Sequence, residues 1–123
     1  NKMATPNLVN VTSITPFTIA GAVTTSNADI IDVAADKTRK INSIIVSNVD
    51  GTNSATVSIS VSVDNGSNYY HLAKTVAVPA DATLVVLDKN SQIYLDETDL
   101  LRIVGSAAND LEYVVSGEIL DDA

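Results

Sequence analysis

The residue of this sequence best suited to acid–base chemistry is its one histidine, His71. A serine or threonine nucleophile needs a neighbouring base to activate it, and histidine commonly serves as that base. His71 follows two tyrosines within a run of strand-forming residues and belongs to no Ser–His–Asp pattern. We therefore predict a structural or surface role for His71 and no catalytic residue, so the chain is expected not to be an enzyme.

Carboxylates gather at Asp96, Glu97 and Asp99, and oxygen ligands of this kind suit a calcium ion. Their spacing matches no known calcium loop, and the flanking leucines favour a polar turn between two strands, with a bound cation as the lesser alternative. The oxygen-rich residues 64–68 lack the bidentate glutamate of a calcium loop and are better explained as a hairpin turn. We predict neither a metal nor a cofactor.

The charge of the chain restricts its partners. Fifteen acidic residues against seven Lys and Arg give a formal net charge of -8, and the cations are dispersed. Nucleic acids and anionic membranes require a basic surface, so neither is expected as a partner. No apolar run approaches the ~20 residues of a membrane span, and no signal peptide is recognised. Because cysteine is absent, disulfides and thiolate metal sites are excluded.

The elements that position these residues are predicted to be strands. Apolar residues at the odd positions of 57–63 alternate with Ser and Thr, which is the period of a half-buried strand. Asn65 and Gly66 follow, and this pair favours the positive φ angles of a tight hairpin turn. Residues 68–78 are therefore expected to return antiparallel.

Further short strands follow at roughly ten-residue spacing, which is typical of a sandwich. The continuous apolar character of residues 83–87 predicts burial on both faces. We predict an all-β fold, an antiparallel β-sandwich of jelly-roll-like type over residues 31–123. Its other strands are expected at residues 40–49, 93–95, 100–105 and 111–120.

The first thirty residues differ from the rest, being rich in Thr and Ala and interrupted by Pro6, Pro16 and Gly21. They form either edge strands of the sandwich or an extended N-terminal arm that reaches a neighbouring subunit by strand addition. The two alternatives are compatible if the arm pairs in trans. The predicted partner-binding residues are the apolar side chains of this segment and two later tyrosines: Leu8, Val9, Val11, Ile14, Phe17, Ile19, Tyr69 and Tyr70.

Several segments carry a resemblance through their order and spacing: 33–37 (VAADK), 40–48 (KINSIIVSN), 50–53 (DGTN), 76–84 (VAVPADATL), 99–102 (DLLR) and 106–111 (SAANDL). Together they resemble a family of small virion structural proteins of tailed bacteriophages, especially phages of marine bacteria and cyanobacteria. The resemblance covers about residues 7–120. The glycine that this family usually has before the aspartate is Thr98 here, which leaves the local turn type open.

The resemblance implies a shell or tail component present in many copies. We predict a capsid decoration (cement) protein, made in the host cytoplasm, that binds the outer surface of the virion. Its expected partners are the major capsid protein and copies of itself, with a trimer as one option. The alternatives are a tail-associated protein or a host-facing adhesin or carbohydrate-binding module that uses Tyr69, Tyr70 and His71.

Overall fold

The computed structural model describes residues 11–121 of the chain, and every regular element within that range is a β-strand. The strands are β1 (Ser13–Ala22), β2 (Ala28–Asp32), β3 (Lys37–Asn48), β4 (Ala55–Ser62), β5 (Tyr70–Val78), β6 (Thr83–Leu87), β7 (Ile93–Leu95), β8 (Leu100–Gly105) and β9 (Leu111–Asp121). Residues 11–121 contain no helix that could span a membrane.

The predicted antiparallel β-sandwich is confirmed. Sheet I has the order β1-β9-β3-β6, with the short β7 also paired to β3, and sheet II has the order β2-β8-β4-β5. All strand pairs are antiparallel. The first and last described strands, β1 and β9, are neighbours, so sheet I combines residues from both ends of the described chain.

The core lies between the two sheets and follows from the period-two pattern. Val57 and Ile59 of sheet II are buried, as are Ile44 and Val115 of sheet I. Full burial of one such side chain stabilises the fold by about 1.5–3 kcal/mol. The alternation therefore decides which face of each strand turns towards the other sheet.

The hairpin predicted at Asn65 and Gly66 forms, but its loop is longer than a tight turn. Both residues have positive φ, 57° and 92°, and β4 pairs antiparallel with β5. The strands end at Ser62 and resume at Tyr70, so residues 63–69 form the connection. The Ser62 hydroxyl accepts a hydrogen bond from the amide of Gly66 at 2.8 Å, which holds the loop away from the strand ladder.

The prediction that residues 83–87 are buried on both faces is wrong. β6 forms an edge of sheet I, where Val85 is 54% exposed and Leu87 is buried. Only one face of this strand meets sheet II, so a continuous apolar run leaves part of its apolar surface on the outside.

The first part of the chain contributes edge strands to both sheets. β1 pairs with β9 over its whole length, and β2 pairs with β8 at the edge of sheet II. The predicted contact residues Leu8 and Val9 belong to residues 1–10, which lie outside the described residues. The arm therefore stays a prediction.

Candidate interaction surfaces

The acidic segment after β7 forms a turn whose carboxylates bind backbone amides. The Asp99 amide donates to the carbonyl oxygen of Asp96 at 3.0 Å, and an Asp99 carboxylate oxygen accepts from the Asp96 amide at 2.8 Å. The buried Glu97 carboxylate accepts a hydrogen bond from the amide of Asp36 at 3.0 Å. These bonds tie the turn to the loop between β2 and β3, which gives the acidic residues a structural role.

Thr98, which stands where the resembled family has glycine, has a φ angle of 65°. This is the left-handed region that glycine enters freely and a β-branched residue enters at a cost of about 1–2 kcal/mol. The Thr98 amide donates to the carbonyl oxygen of Val33 at 2.9 Å. The turn that glycine would favour is therefore retained with threonine. No group of three or more His, Asp or Glu in residues 11–121 is arranged to hold a metal ion.

The second oxygen-rich segment is also held by internal hydrogen bonds. The Asp64 carboxylate accepts from the amide of Asn68 at 2.9 Å and from its side chain at 2.8 Å. The hydroxyl of Ser62 donates to Asp64 at 2.8 Å. The side-chain bond from Asn68, followed by the amide bond, lowers the pKa of Asp64 from its usual value. Asp64 is thus an organiser of the hairpin loop.

Tyr69 folds back from this loop onto the outer face of sheet II. Its ring lies against Arg102, whose guanidinium carbon is 3.7 Å from the ring centroid. Its hydroxyl donates to Asp29 at 3.0 Å, and Arg102 donates to the same carboxylate at 3.0 Å. Burial, followed by the hydrogen bond to Asp29, raises the pKa of the Tyr69 phenol. The bond to Asp29 likewise raises the pKa of Arg102.

The two adjacent tyrosines therefore have different environments. Tyr69 is half-buried against Arg102, whereas Tyr70 is 63% exposed at the start of β5 and is followed by the exposed His71. The structure does not bring the two tyrosine rings onto one shared platform, because Tyr69 is bound to sheet II. Tyr70 and His71 are the members of the predicted adhesin surface that face solvent.

The predicted contact residues on β1 divide between its two faces. Phe17 and Ile19 are half-buried and pack against the core, and Arg39 lies 4.7 Å from the centroid of the Phe17 ring. Ile14 is on the opposite face and is 59% exposed. Val11 precedes β1 and is half-buried. Ile14 is thus the most exposed apolar residue of the described part of this set apart from Tyr70.

One edge of β1 has no strand partner among residues 11–121. The amide of Val23 donates to the carbonyl oxygen of Leu111 at 2.9 Å, and the register of β1 on β9 continues from there without a shift. Bonded and non-bonded pairs alternate along an antiparallel ladder. The odd-numbered residues of β1 therefore bond to β9, and the even-numbered residues turn their backbone N–H and C=O groups outwards.

Pro16 agrees with this alternation. Proline has no N–H, and position 16 is one whose N–H would point away from β9, so no ladder bond is lost. Beyond Pro16 the outward amides belong to Thr18, Ala20 and Ala22, which continue to the end of the strand. The other long edge strand, β5, is interrupted by register shifts and by Thr75 with a φ of 51°. Among the described edges, β1 is therefore the longest regular template for an added strand.

The outer face of sheet I, which is turned away from sheet II, contains an apolar row across four strands. Ala20 is opposite Val114, Val114 is opposite Ile45, and Ile45 is opposite Val85. Ala20 is exposed, Val114 is 40% exposed and Ile45 is half-buried. We call these four residues the apolar row.

Sequence reasoning did not identify the apolar row as a surface. A local signal was present in β9, where Val114 occupies the face otherwise marked as polar by Glu112 and Ser116. The sequence could not show that Ile45 and Val85 lie beside it, because the three residues come from separate strands. The register of sheet I brings them together.

No protein-family model and no curated protein matches the chain. Solved structures that are similar to the chain include the following three. The Drosophila NLP core, described for pentamer formation and histone binding, is 11% identical over 83% of this chain and 96% of its own, with a TM-score of 0.48. A pentameric capsid protein from metagenomic phage sequences is 17% identical over 85% of this chain and 60% of its own, with a TM-score of 0.40. A Bacillus endospore appendage protein that forms disulfide-linked pili is 10% identical over 89% and 87%, with a TM-score of 0.41.

Proposed function

We propose that this chain is a non-enzymatic structural protein of a bacteriophage virion, a decoration protein that binds the outer surface of the major capsid protein lattice. The class comes from the resemblance of its turn and strand segments to such proteins. The proposal is carried by one structural observation, the open edge of β1. The strand orders β1-β9-β3-β6 and β2-β8-β4-β5 support the jelly-roll-like assignment within this proposal.

A non-catalytic role is supported by the hydrogen bonds that the acidic side chains accept. The carboxylates of Asp64 and Glu97 accept hydrogen bonds from backbone amides, and Asp29 accepts from Tyr69 and Arg102. These groups hold loops in place. Both oxygens of the Asp29 and Asp64 carboxylates have hydrogen-bond partners, so these groups are poorly placed to take up a proton from a substrate.

The open edge of β1 is suited to a protein partner. An extended segment of the capsid lattice would continue sheet I by pairing with the outward groups of Thr18, Ala20 and Ala22. Strand addition of this kind derives affinity from main-chain hydrogen bonds, with side-chain contacts adding specificity. The exposed Ile14 would extend the contact beyond Pro16.

The substitution Thr18→Pro tests this proposal. It removes one outward N–H and leaves the bonds between β1 and β9 intact, because the backbone N–H of residue 18 points away from β9. We expect at least a tenfold loss of binding to capsids that lack the protein, measured by co-sedimentation. Thr18→Val, which keeps the N–H and the side-chain shape, is the matched control and should bind like the wild type.

Full occupancy of the capsids by a folded Thr18→Pro protein would contradict the role of the edge. Failure of the wild type to bind any capsid would contradict the decoration function itself. Deletion of residues 3–25 is a less specific test, because it also removes the whole of β1 from sheet I.

The alternative function of a host-facing adhesin is favoured by one observation, the exposure of Tyr70 beside the exposed His71. An exposed aromatic ring is a common platform for stacking on sugars or bases. Binding of the intact protein to host glycans on an array, without binding to capsids, would favour this alternative over decoration.

A further inference from the structure

The outer face of sheet I has a raised and a recessed end along the apolar row. Val85 projects at the β6 end, where it is 54% exposed. At the β1 end, small side chains leave a shallow open groove of about 310 Å³. The groove is lined by Ala20, Gly21, Ala22, Glu112, Tyr113 and Val114. The recessed β1 end of this face therefore has the shape to receive the projecting β6 end of a second copy.

The charges of this face have the same reciprocal arrangement. Lys40 of β3 is opposite Glu118 of β9 in the register of the sheet. Among the described residues, Lys40, Glu112 and Glu118 are the charged side chains that the strand alternation places on this face. One lysine and two glutamates give this face a net charge of -1, whereas the chain carries -8. Two acidic copies repel each other least where each presents a nearly neutral surface.

We propose that the outer face of sheet I binds a second copy of this chain in a two-fold symmetric dimer. The axis lies in the interface, parallel to the strands and between β9 and β3. A symmetric interface of this type pairs residue i with j and j with i. It sets Ala20 against Val85 of the partner subunit and Val114 against Ile45 of the partner subunit.

The same axis sets Lys40 against the partner's Glu118, and the reciprocal pair forms on the other side of the axis. The projecting Val85 thus meets the groove at Ala20, and the opposite charges meet each other. A single two-fold rotation of the observed sheet produces both the apolar contact and the charged contact. This dimer goes beyond the proposed decoration function and does not depend on it.

The area of the face limits the expected affinity. Four strands about 4.8 Å apart, with about nine residues of about 3.4 Å each, give a face on the order of 500 Å². Two such faces bury about 1,000 Å² in total, which is the lower limit for a specific interface. We therefore expect a weak dimer that forms at high micromolar concentration.

Cross-linking between two different single variants tests the geometry directly. The chain has no cysteine, so Ala20→Cys and Val85→Cys each introduce one thiol on an exposed position. A mixture of the two variants, treated with the short thiol cross-linker bismaleimidoethane, should give a covalent dimer of twice 12.9 kDa. Each variant alone should not, because the axis separates identical positions by about three strand spacings, or about 14 Å.

Charge reversal tests the same interface without cross-linking. In sedimentation equilibrium, Lys40→Glu should weaken the dimer at least tenfold, because it sets a carboxylate against the partner's Glu118. The double variant Lys40→Glu/Glu118→Lys should restore the dimer. Lys74→Glu makes the same change at an exposed position of β5 in sheet II and should have no effect.

Two results would overturn the proposal. The first is a monomer at every concentration, which would show that this face does not bind a second copy of the chain. The second is a dimer in which Ala20→Cys or Val85→Cys cross-links with itself and the double charge variant does not recover. Thermal melting of each variant verifies that it is folded.

Discussion

Gly117 shows how one residue permits a local feature of the backbone. β3 has a bulge between Ile41 and Ser43, and Gly117 of β9 lies opposite Ile41. A Cβ atom at position 117 would lie 1.8 Å from the carbonyl oxygen of Lys40. Backbone cannot yield to such a contact as a flexible side chain can. The bulge and the glycine therefore depend on each other.

We expect Gly117→Ala to lower the free energy of unfolding by about 3 kcal/mol or more, because the added methyl forces β9 away from β3. Urea denaturation followed by circular dichroism measures this. Gly51→Ala is the matched control, since its added Cβ would be 3.5 Å from Asp81. A Gly117→Ala protein as stable as Gly51→Ala would contradict the close approach of position 117 to the Lys40 carbonyl at the bulge.

At the scale of elements, the loop between β4 and β5 packs over the outer face of sheet II. Tyr69 lies on Arg102, and Leu100 is near Gly66, where an added Cβ would be 3.4 Å from the leucine side chain. Ser62 beneath this loop is fully buried although its side chain belongs to the polar face of β4. The loop thus explains why polar strand positions are buried on this side.

Tyr69→Phe should cost about 0.5–1.5 kcal/mol in the free energy of unfolding, because it removes the hydrogen bond to Asp29 and keeps the ring on Arg102. Tyr69→Ala should cost more, since it also removes the ring and its cation–π contact. Urea denaturation of both variants separates the two contributions. Tyr70→Phe, at the exposed neighbour, serves as the control and should be neutral. Equal losses for Phe and Ala would contradict a contribution from the stacked ring.

At the scale of the whole molecule, the acidic residues make the free energy of unfolding decrease as the pH becomes acidic. Hydrogen bonds lower the pKa of Asp50, first from the amide of Thr52, and that of Asp64, first from the side chain of Asn68. A group with a lowered pKa in the folded state stabilises the fold above its unfolded value of about 3.9. That stabilisation is lost as the pH falls through the folded pKa.

We therefore expect the urea midpoint to fall between pH 5 and about pH 2.5, as these carboxylates become protonated. Asp64→Asn should show a smaller decrease over this range than the wild type, because its side chain does not titrate. Urea titrations of both proteins at several pH values measure the difference. Identical pH profiles would mean that Asp64 makes no contribution to acid unfolding.

What the sequence determined by itself was local. Alternation at Val57 and Ile59 set the strand and its buried face, because successive side chains of any strand point to opposite sides. Asn65 and Gly66 set a turn with positive φ, because both residues tolerate that conformation. These features depend on neighbours a few residues away, and they led to the antiparallel sandwich.

Only the tertiary structure decided which strands are neighbours and which form edges. It exposed Val85, because β6 is at the edge of sheet I, and it turned Tyr69 onto Arg102 instead of leaving it as a platform. It also aligned Ala20, Val114, Ile45 and Val85 in one row. Contacts of this kind join residues far apart in the chain, and a local pattern does not specify them. The candidate surfaces of this protein are products of that long-range register.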